Sequence, residues 1–205
     1  MGQTMLARLS AARAVCRRWL WLYATAAASV LFGSAVVGFL LGSAVPVDSL
    51  AMADGGGSNG VFPPLTTVDL AVNNLTAMVV LTLGAVSLGL VTLFGLVLNG
   101  LLIGAVVGIA VQTLDPLVVA MLILPHGVLE VPALLIASAV GLRFARLTVR
   151  YIRGLEDDLL TRRDLREAGW LVLTAALLIV VAAYIEANVT LELAECVAGE
   201  ELATV

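Results

Sequence analysis

Residues 70–114 read LAVNNLTAMVVLTLGAVSLGLVTLFGLVLNGLLIGAVVGIAVQTL, a stretch without a single charged residue. An apolar run longer than about 20 residues is typical of a transmembrane segment and not of a soluble core. A spanning helix needs about 20 residues, so this stretch is long enough for two spans with a tight connection, which we expect near Phe94 to Gly100. It predicts an α-helical integral membrane protein.

The composition of the whole chain supports this prediction. Of the 205 residues, 61% are apolar and 13% are charged, and the mean hydropathy is +1.08. Soluble domains have about 45–50% apolar and about 25% charged residues, so a soluble globule, a disordered chain and a disulfide-rich secreted domain are excluded. Because 11 basic and 15 acidic residues give a net charge of −4, no basic nucleic-acid-binding groove is expected.

The arginines are the only basic residues, and they lie in two segments, 8–18 and 143–166. Short loops rich in Arg remain on the cytoplasmic side of a membrane, so both segments are predicted to lie inside. The loop that contains Gly55, Gly56 and Gly57 and ends near Thr67 is then outside. Because this loop and Arg143 lie on opposite sides of the membrane, the chain must cross it an odd number of times between them. Three crossings suit this mostly apolar stretch, which gives five spans, with the N-terminus inside and the C-terminus outside.

The predicted organisation follows from these boundaries. The first apolar run exceeds the 7–15 residues of a signal-peptide core, which favours a retained span. The charged cytoplasmic hairpin is expected to contact anionic lipid headgroups, and docking of a cytosolic partner is the alternative. The segments are a cytoplasmic N-terminus (1–18), span one (19–45), an outer loop (46–69), spans two to four (70–142), the charged hairpin (143–168), span five (169–190) and an acidic outer tail (191–205).

Small residues recur at intervals of four in three of the spans. Residues four apart share one helix face, where another backbone can approach closely, and such contact is a main source of helix association in lipid. Two interpretations remain open: an interface for self-association, and packing within one bundle. The stripes are Gly100, Gly104 and Gly108; Ser34, Gly38 and Gly42; and Ala133, Ala137 and Gly141.

Ionisable residues inside a bilayer are costly and indicate a functional site by default. His126, Glu130 and Glu186 are of this kind, and Asn73 and Asn74 begin span two on the outer side. At about 1.5 Å per residue, Glu130 lies about 20 Å and Glu186 about 6 Å below the outer surface. These residues form the predicted polar intramembrane site. Asn99 completes the set and is expected near the cytoplasmic turn before span three.

Pro125 is predicted to break the fourth span, because proline withholds a backbone donor and frees carbonyls of the preceding turn. A broken helix is tolerated where it faces protein or a wet cavity. His126 and Glu130 then either pair and neutralise each other, line a cavity that binds or conducts a solute, or contact a partner protein. Whether the segment is a kinked span or a re-entrant half-helix plus a span stays open.

No enzyme active site is predicted. A catalytic zinc site needs three protein ligands and a water, and the chain has one histidine; Cys16 and Cys196 have no metal-binding spacing. Nucleophile-elbow and phosphate-loop motifs do not occur. We therefore expect no catalytic residues, no metal and no cofactor.

The order of the polar motifs resembles the stage II sporulation protein M family of membrane proteins. The resemblance covers about residues 70–188 and depends most on Pro125-His126-Gly127-x-x-Glu130, with Asn73-Asn74, Asn99-Gly100 and Ile185-Glu186-Ala187 around it. It implies a multi-span protein that either moves a small solute or ion or recruits partner proteins as a scaffold. The acidic chain without lysine indicates an archaeal, and specifically haloarchaeal, member. The partners expected are membrane lipids, unidentified proteins and, through the small-residue stripes, further copies of the chain.

Overall fold

The computed structural model of the protein describes residues 14–46 and 66–190, together with residues 192, 193 and 196. This part of the chain is helical and contains no strand, and five of its helices are long and apolar enough to cross a membrane. The predicted fold class is therefore confirmed. The helices are α1 (Trp21–Ser43), α2 (Thr67–Thr82), α3 (Leu90–Ala110), α4 (Pro116–Ile152) and α5 (Arg162–Ile185).

Successive helices run in opposite directions. At one end of the bundle, Arg18 before α1 pairs with Glu167 near the start of α5. At the other end, the amide of Gln112 after α3 donates to the carbonyl of Gly42 in α1, and Asn188 after α5 donates to Thr67 at the start of α2. We call these the arginine-rich end and the opposite end. Most of the predicted outer loop and the acidic tail, and residues 1–13, fall outside the described residues.

Side-chain caps fix where three of the helices begin. Thr66 and Thr161 each accept a hydrogen bond from the backbone N–H three residues on, and the carboxylates of Asp69 and Asp164 each accept one from the backbone N–H of the capping residue. Asp115 caps α4 directly before a proline at the first helical position. These residues satisfy donors that a helix start leaves unpaired, so α2, α4 and α5 each begin at a defined residue.

The core lies where α1, α2, α4 and α5 meet. Leu31, Leu81, Leu134 and Ile179, one from each of these helices, are almost completely buried in one cluster. Many other large apolar side chains are exposed along the helices. Exposed apolar patches of this extent are unusual for a soluble monomer, so this surface is suited to contact with lipid.

The two glycine stripes pack against each other within one chain, along α1 and α3. A Cβ atom at Gly104 would overlap the backbone of Ala35, and one at Gly38 would overlap the backbone of Leu101. Gly108 likewise faces the backbone of Phe39. The stripes on α1 and α3 therefore pack within one bundle, which is the alternative to an interface for self-association.

The sequence predicts the turn between spans two and three near Phe94 to Gly100, and this prediction is wrong. The chain turns at residues 86–89, after a 3₁₀ turn at Leu83–Ala85, and both Leu88 and Gly89 have positive φ angles. Asn99 therefore lies in the middle of α3 and not at a turn. Gly100 is required for close packing against α1.

The fourth span is one helix of 37 residues that contains Pro125 and Pro132. The predicted break at Pro125 does not occur, and the re-entrant alternative is excluded. Buried residues from Ala133 to Gly141 hold the middle of α4 against its neighbours, which compensates for the two missing backbone donors. At about 1.5 Å per residue the helix is about 55 Å long, longer than the roughly 30 Å hydrocarbon core of a bilayer.

Candidate functional site

His126, Glu130 and Glu186 come together at the side of α4 that faces the end of α5. One ligand atom from each side chain, an imidazole nitrogen or a carboxylate oxygen, lies within 4.8 Å of the other two. All three residues are half-buried. His126 and Glu130 are one turn apart on α4, and Glu186 comes from the other helix, so the cluster depends on the packing of α5 against α4.

Helix direction explains how Glu130 meets Glu186. The sequence estimate placed Glu130 about 14 Å deeper than Glu186, which their proximity contradicts. Helical side chains lean toward the N-terminus of their own helix. Because α4 and α5 are antiparallel, the two glutamates lean toward each other.

Glu186 begins a π turn, Glu186–Thr190, that follows α5 directly. The hydroxyl of Thr190 donates to the carbonyl of Ile185 five residues earlier. Asn188 donates to the carbonyl of Tyr184 and to the hydroxyl of Thr67 on α2. Single π turns within helices occur frequently at functional sites. This one ties the position of Glu186 to α2.

Within the described residues, no arginine pairs with either glutamate, and His126 is the basic member of the cluster. Arginine is absent from residues 19–142 and 167–205, and the chain has no lysine. Accordingly, none of the ion pairs among the described residues involves Glu130 or Glu186. The Nδ1 atom of His126 is buried and has no hydrogen-bond partner within the described part of the chain. Buried polar atoms are normally satisfied by protein, water or an ion, so this cluster has unused capacity to bind.

The three asparagines of the predicted site bond within their own helices. Asn73 donates to the side-chain oxygen of Asn74 on α2, and Asn99 donates to the carbonyl of Gly95 on α3. The structure thus brings the histidine and the two acids together, and it places Asn99 in the α3 helix with a structural hydrogen bond.

A second polar cluster, which the sequence analysis missed, lies at the arginine-rich end around Glu167. The carboxylate accepts hydrogen bonds from Arg18 at 2.8 Å, from the indole of Trp19 at 2.8 Å and from Arg163 at 2.9 Å. Arg143 stacks over the Trp19 ring, with its guanidinium carbon 4.4 Å from the ring centroid. Only the separation of about 148 residues between Trp19 and Glu167 hid this contact, since no local pattern marks it.

The charged hairpin of the prediction consists of the end of α4, a connection at residues 153–161 and the start of α5. Arg143 pairs with Asp164 at 3.0 Å across the two helices. Arg150 pairs with Glu156 at 2.9 Å, where both side chains are about 40% exposed. The hairpin is therefore packed where Arg143 and Asp164 join the two helices, and it is exposed around Arg150 and Glu156.

Five membrane-spanning helices with a half-buried histidine and two glutamates between α4 and the end of α5 define a multi-pass membrane protein. The chain belongs to the stage II sporulation protein M family, whose model matches residues 23–191. This match includes nearly all of the five helices and the whole cluster, and it confirms the resemblance.

One relative is the uncharacterized protein MJ0793 of Methanocaldococcus jannaschii. It is 33% identical over 134 residues, which cover 65% of this chain and 72% of the relative. A relative in an archaeon fits the predicted archaeal origin. No solved structure matches the chain.

Proposed function

We propose that this protein moves a small cation across the membrane through the cluster of His126, Glu130 and Glu186. The observation that carries the proposal is the convergence of three ionisable side chains from two helices within 4.8 Å. Ionisable groups at membrane depth are rare and commonly mark ion pathways or proton relays. Glu130 binds the cation, and His126 adjusts the charge of the site.

The charge balance supports a cation over an anion. Two carboxylates and one imidazole carry a net negative charge whenever both acids are ionised, and no arginine is available at the opposite end. A bound cation offsets the cost of holding these charges away from water. An anion would meet repulsion from both acids.

The experiment is cation flux in proteoliposomes that contain an ion-sensitive dye, with H⁺, Na⁺, K⁺ and Mn²⁺ tested separately. We expect flux above that of protein-free liposomes, a loss of at least about tenfold for Glu130→Gln, and wild-type flux for Glu192→Gln. Glu192 is an exposed glutamate six residues beyond Glu186 and is the matched control. Equal flux in the wild type and in Glu130→Gln would refute the proposal.

A non-catalytic scaffold that recruits partner proteins is the second candidate. The observation in its favour is the connection at residues 153–161, where nearly all residues are exposed and where Asp157 and Asp158 add charge. In this case neither the wild type nor Glu130→Gln carries flux, and partner capture depends on the hairpin. Neither candidate requires enzymatic chemistry.

We further propose that the arginine-rich end faces the cytoplasm, which puts the N-terminus inside and the C-terminus outside. Cys16 and Cys196 are both exposed thiols and are the only cysteines. A membrane-impermeant maleimide applied to intact cells is expected to label the wild type and Cys16→Ser equally. It should not label Cys196→Ser; strong labelling of that variant would reverse the orientation.

A further inference from the structure

We propose that His126, Glu130 and Glu186 form a binding site for a divalent first-row transition-metal cation. The inference rests on the proposed function, since it names the class of cation that the site would carry. The sequence spacing indicates only that His126 and Glu130 lie on one face of α4. Glu186, the third ligand, reaches them because the π turn packs against α4.

The distances fit one shared ion. Zinc–nitrogen and zinc–oxygen bonds are about 2.0–2.2 Å long, so the ligand atoms around one tetrahedral ion are about 3.4 Å apart. The three ligand atoms already lie within 4.8 Å of one another. Rotation about the side-chain bonds of the glutamates is enough to close the remaining difference, without movement of either helix.

The donor set selects the class of metal. Mg²⁺ and Ca²⁺ prefer oxygen ligands alone, and Cu(I) prefers the thiolates or thioethers that this cluster lacks. One imidazole with two carboxylates suits Mn²⁺, Fe²⁺, Co²⁺ and Zn²⁺. Two carboxylates also neutralise a divalent cation, so the loaded site is electrically balanced at a depth where net charge is costly.

His126 provides the independent support for a ligand. Its Nδ1 atom is buried without a hydrogen-bond partner in the described part of the chain. If His126 were only a partner of Glu130, Glu186 would have no cationic partner among the described residues. A bound metal satisfies the imidazole and both acids together. Three protein ligands also leave coordination positions for water, which permits entry and release.

The experiment is a metal titration of the full chain in nanodiscs. The protein is purified with a tag that contains no histidine and is stripped with EDTA, because His126 is the only histidine. Mn²⁺ binding is followed by loss of the free-ion electron paramagnetic resonance signal, and Co²⁺ binding by its visible absorption, both in excess Mg²⁺. We expect saturable binding of one ion per chain.

Glu130→Gln, Glu186→Gln and His126→Gln are each expected to weaken binding by about tenfold or more, while Glu192→Gln binds as the wild type does. Circular dichroism identifies any variant that fails to fold, and the other two variants then carry the test. No uptake of Mn²⁺ or Co²⁺ by the wild type, or equal weakening by Glu192→Gln, overturns the inference.

The two proposals fail separately. Flux of H⁺, Na⁺ or K⁺ without metal binding overturns the metal site and leaves the proposed function intact. Metal binding without flux of any tested cation supports the site and overturns the transport proposal, because the metal is then structural.

Discussion

The two ends of the bundle hold their buried or half-buried carboxylates in opposite ways. At the arginine-rich end, Glu167 accepts three hydrogen bonds and lies beside two arginines. At the opposite end, Glu130 and Glu186 lie beside each other and share one histidine. A fully paired carboxylate is satisfied by the protein and fixes the fold. A pair of carboxylates beside a histidine and without an arginine partner suits the proposed binding of a cation, so the difference separates the structural cluster from the candidate site.

The largest expected effect is at the structural end. Glu167→Ala leaves Trp19 without its acceptor and Arg18 without its counter-charge, and breaking a buried pair of this kind costs about 3 kcal/mol. We expect the free energy of unfolding in detergent to fall by about this amount. Glu156→Ala, which removes an exposed ion pair, should cost less than about 1 kcal/mol. If the two variants unfold alike, Glu167 does not hold the helices together.

A smaller effect tests whether binding at the candidate site is independent of the α1–α3 contact. Gly104→Ala places a methyl group against the backbone of Ala35, and the overlap should lower the free energy of unfolding by about 2 kcal/mol. Gly33→Ala is the matched control, since its added methyl group meets nothing within 4 Å. Binding at the candidate site should be unchanged in both variants. A loss of binding in Gly104→Ala would show that the site extends to α1 and α3.

Much of the fold could be predicted from the sequence, because charge and hydropathy act locally. The arginines lie in two segments, and an odd number of crossings must separate the outer loop from Arg143, which together predict five spans. Ionisable residues are rare in apolar runs, and this rarity identifies His126, Glu130 and Glu186. The turn at residues 86–89 was missed because it lies inside a stretch without a charged residue, so hydropathy does not mark it.

The remaining features depend on tertiary packing. No local pattern in the sequence marks the π turn that positions Glu186, because the hydrogen bond from Asn188 that holds it goes to Thr67 on another helix. The same holds for Trp19 and Glu167, whose contact requires the segment before α1 to lie against the start of α5. Depth estimated from residue counts failed for Glu130 and Glu186, since it ignores the direction in which helical side chains lean.

The most direct test of the account is a double-mutant cycle between Glu130→Gln and Glu186→Gln, measured as the free energy of unfolding in metal-free buffer. Contacting charges do not contribute independently, so the double variant is predicted to differ from the sum of the single variants by about 1 kcal/mol or more. The control cycle pairs Glu130→Gln with Glu167→Gln, at opposite ends of the bundle, and should be additive within about 0.5 kcal/mol. Additivity in the first cycle would contradict the convergence of the two acids on which the site depends.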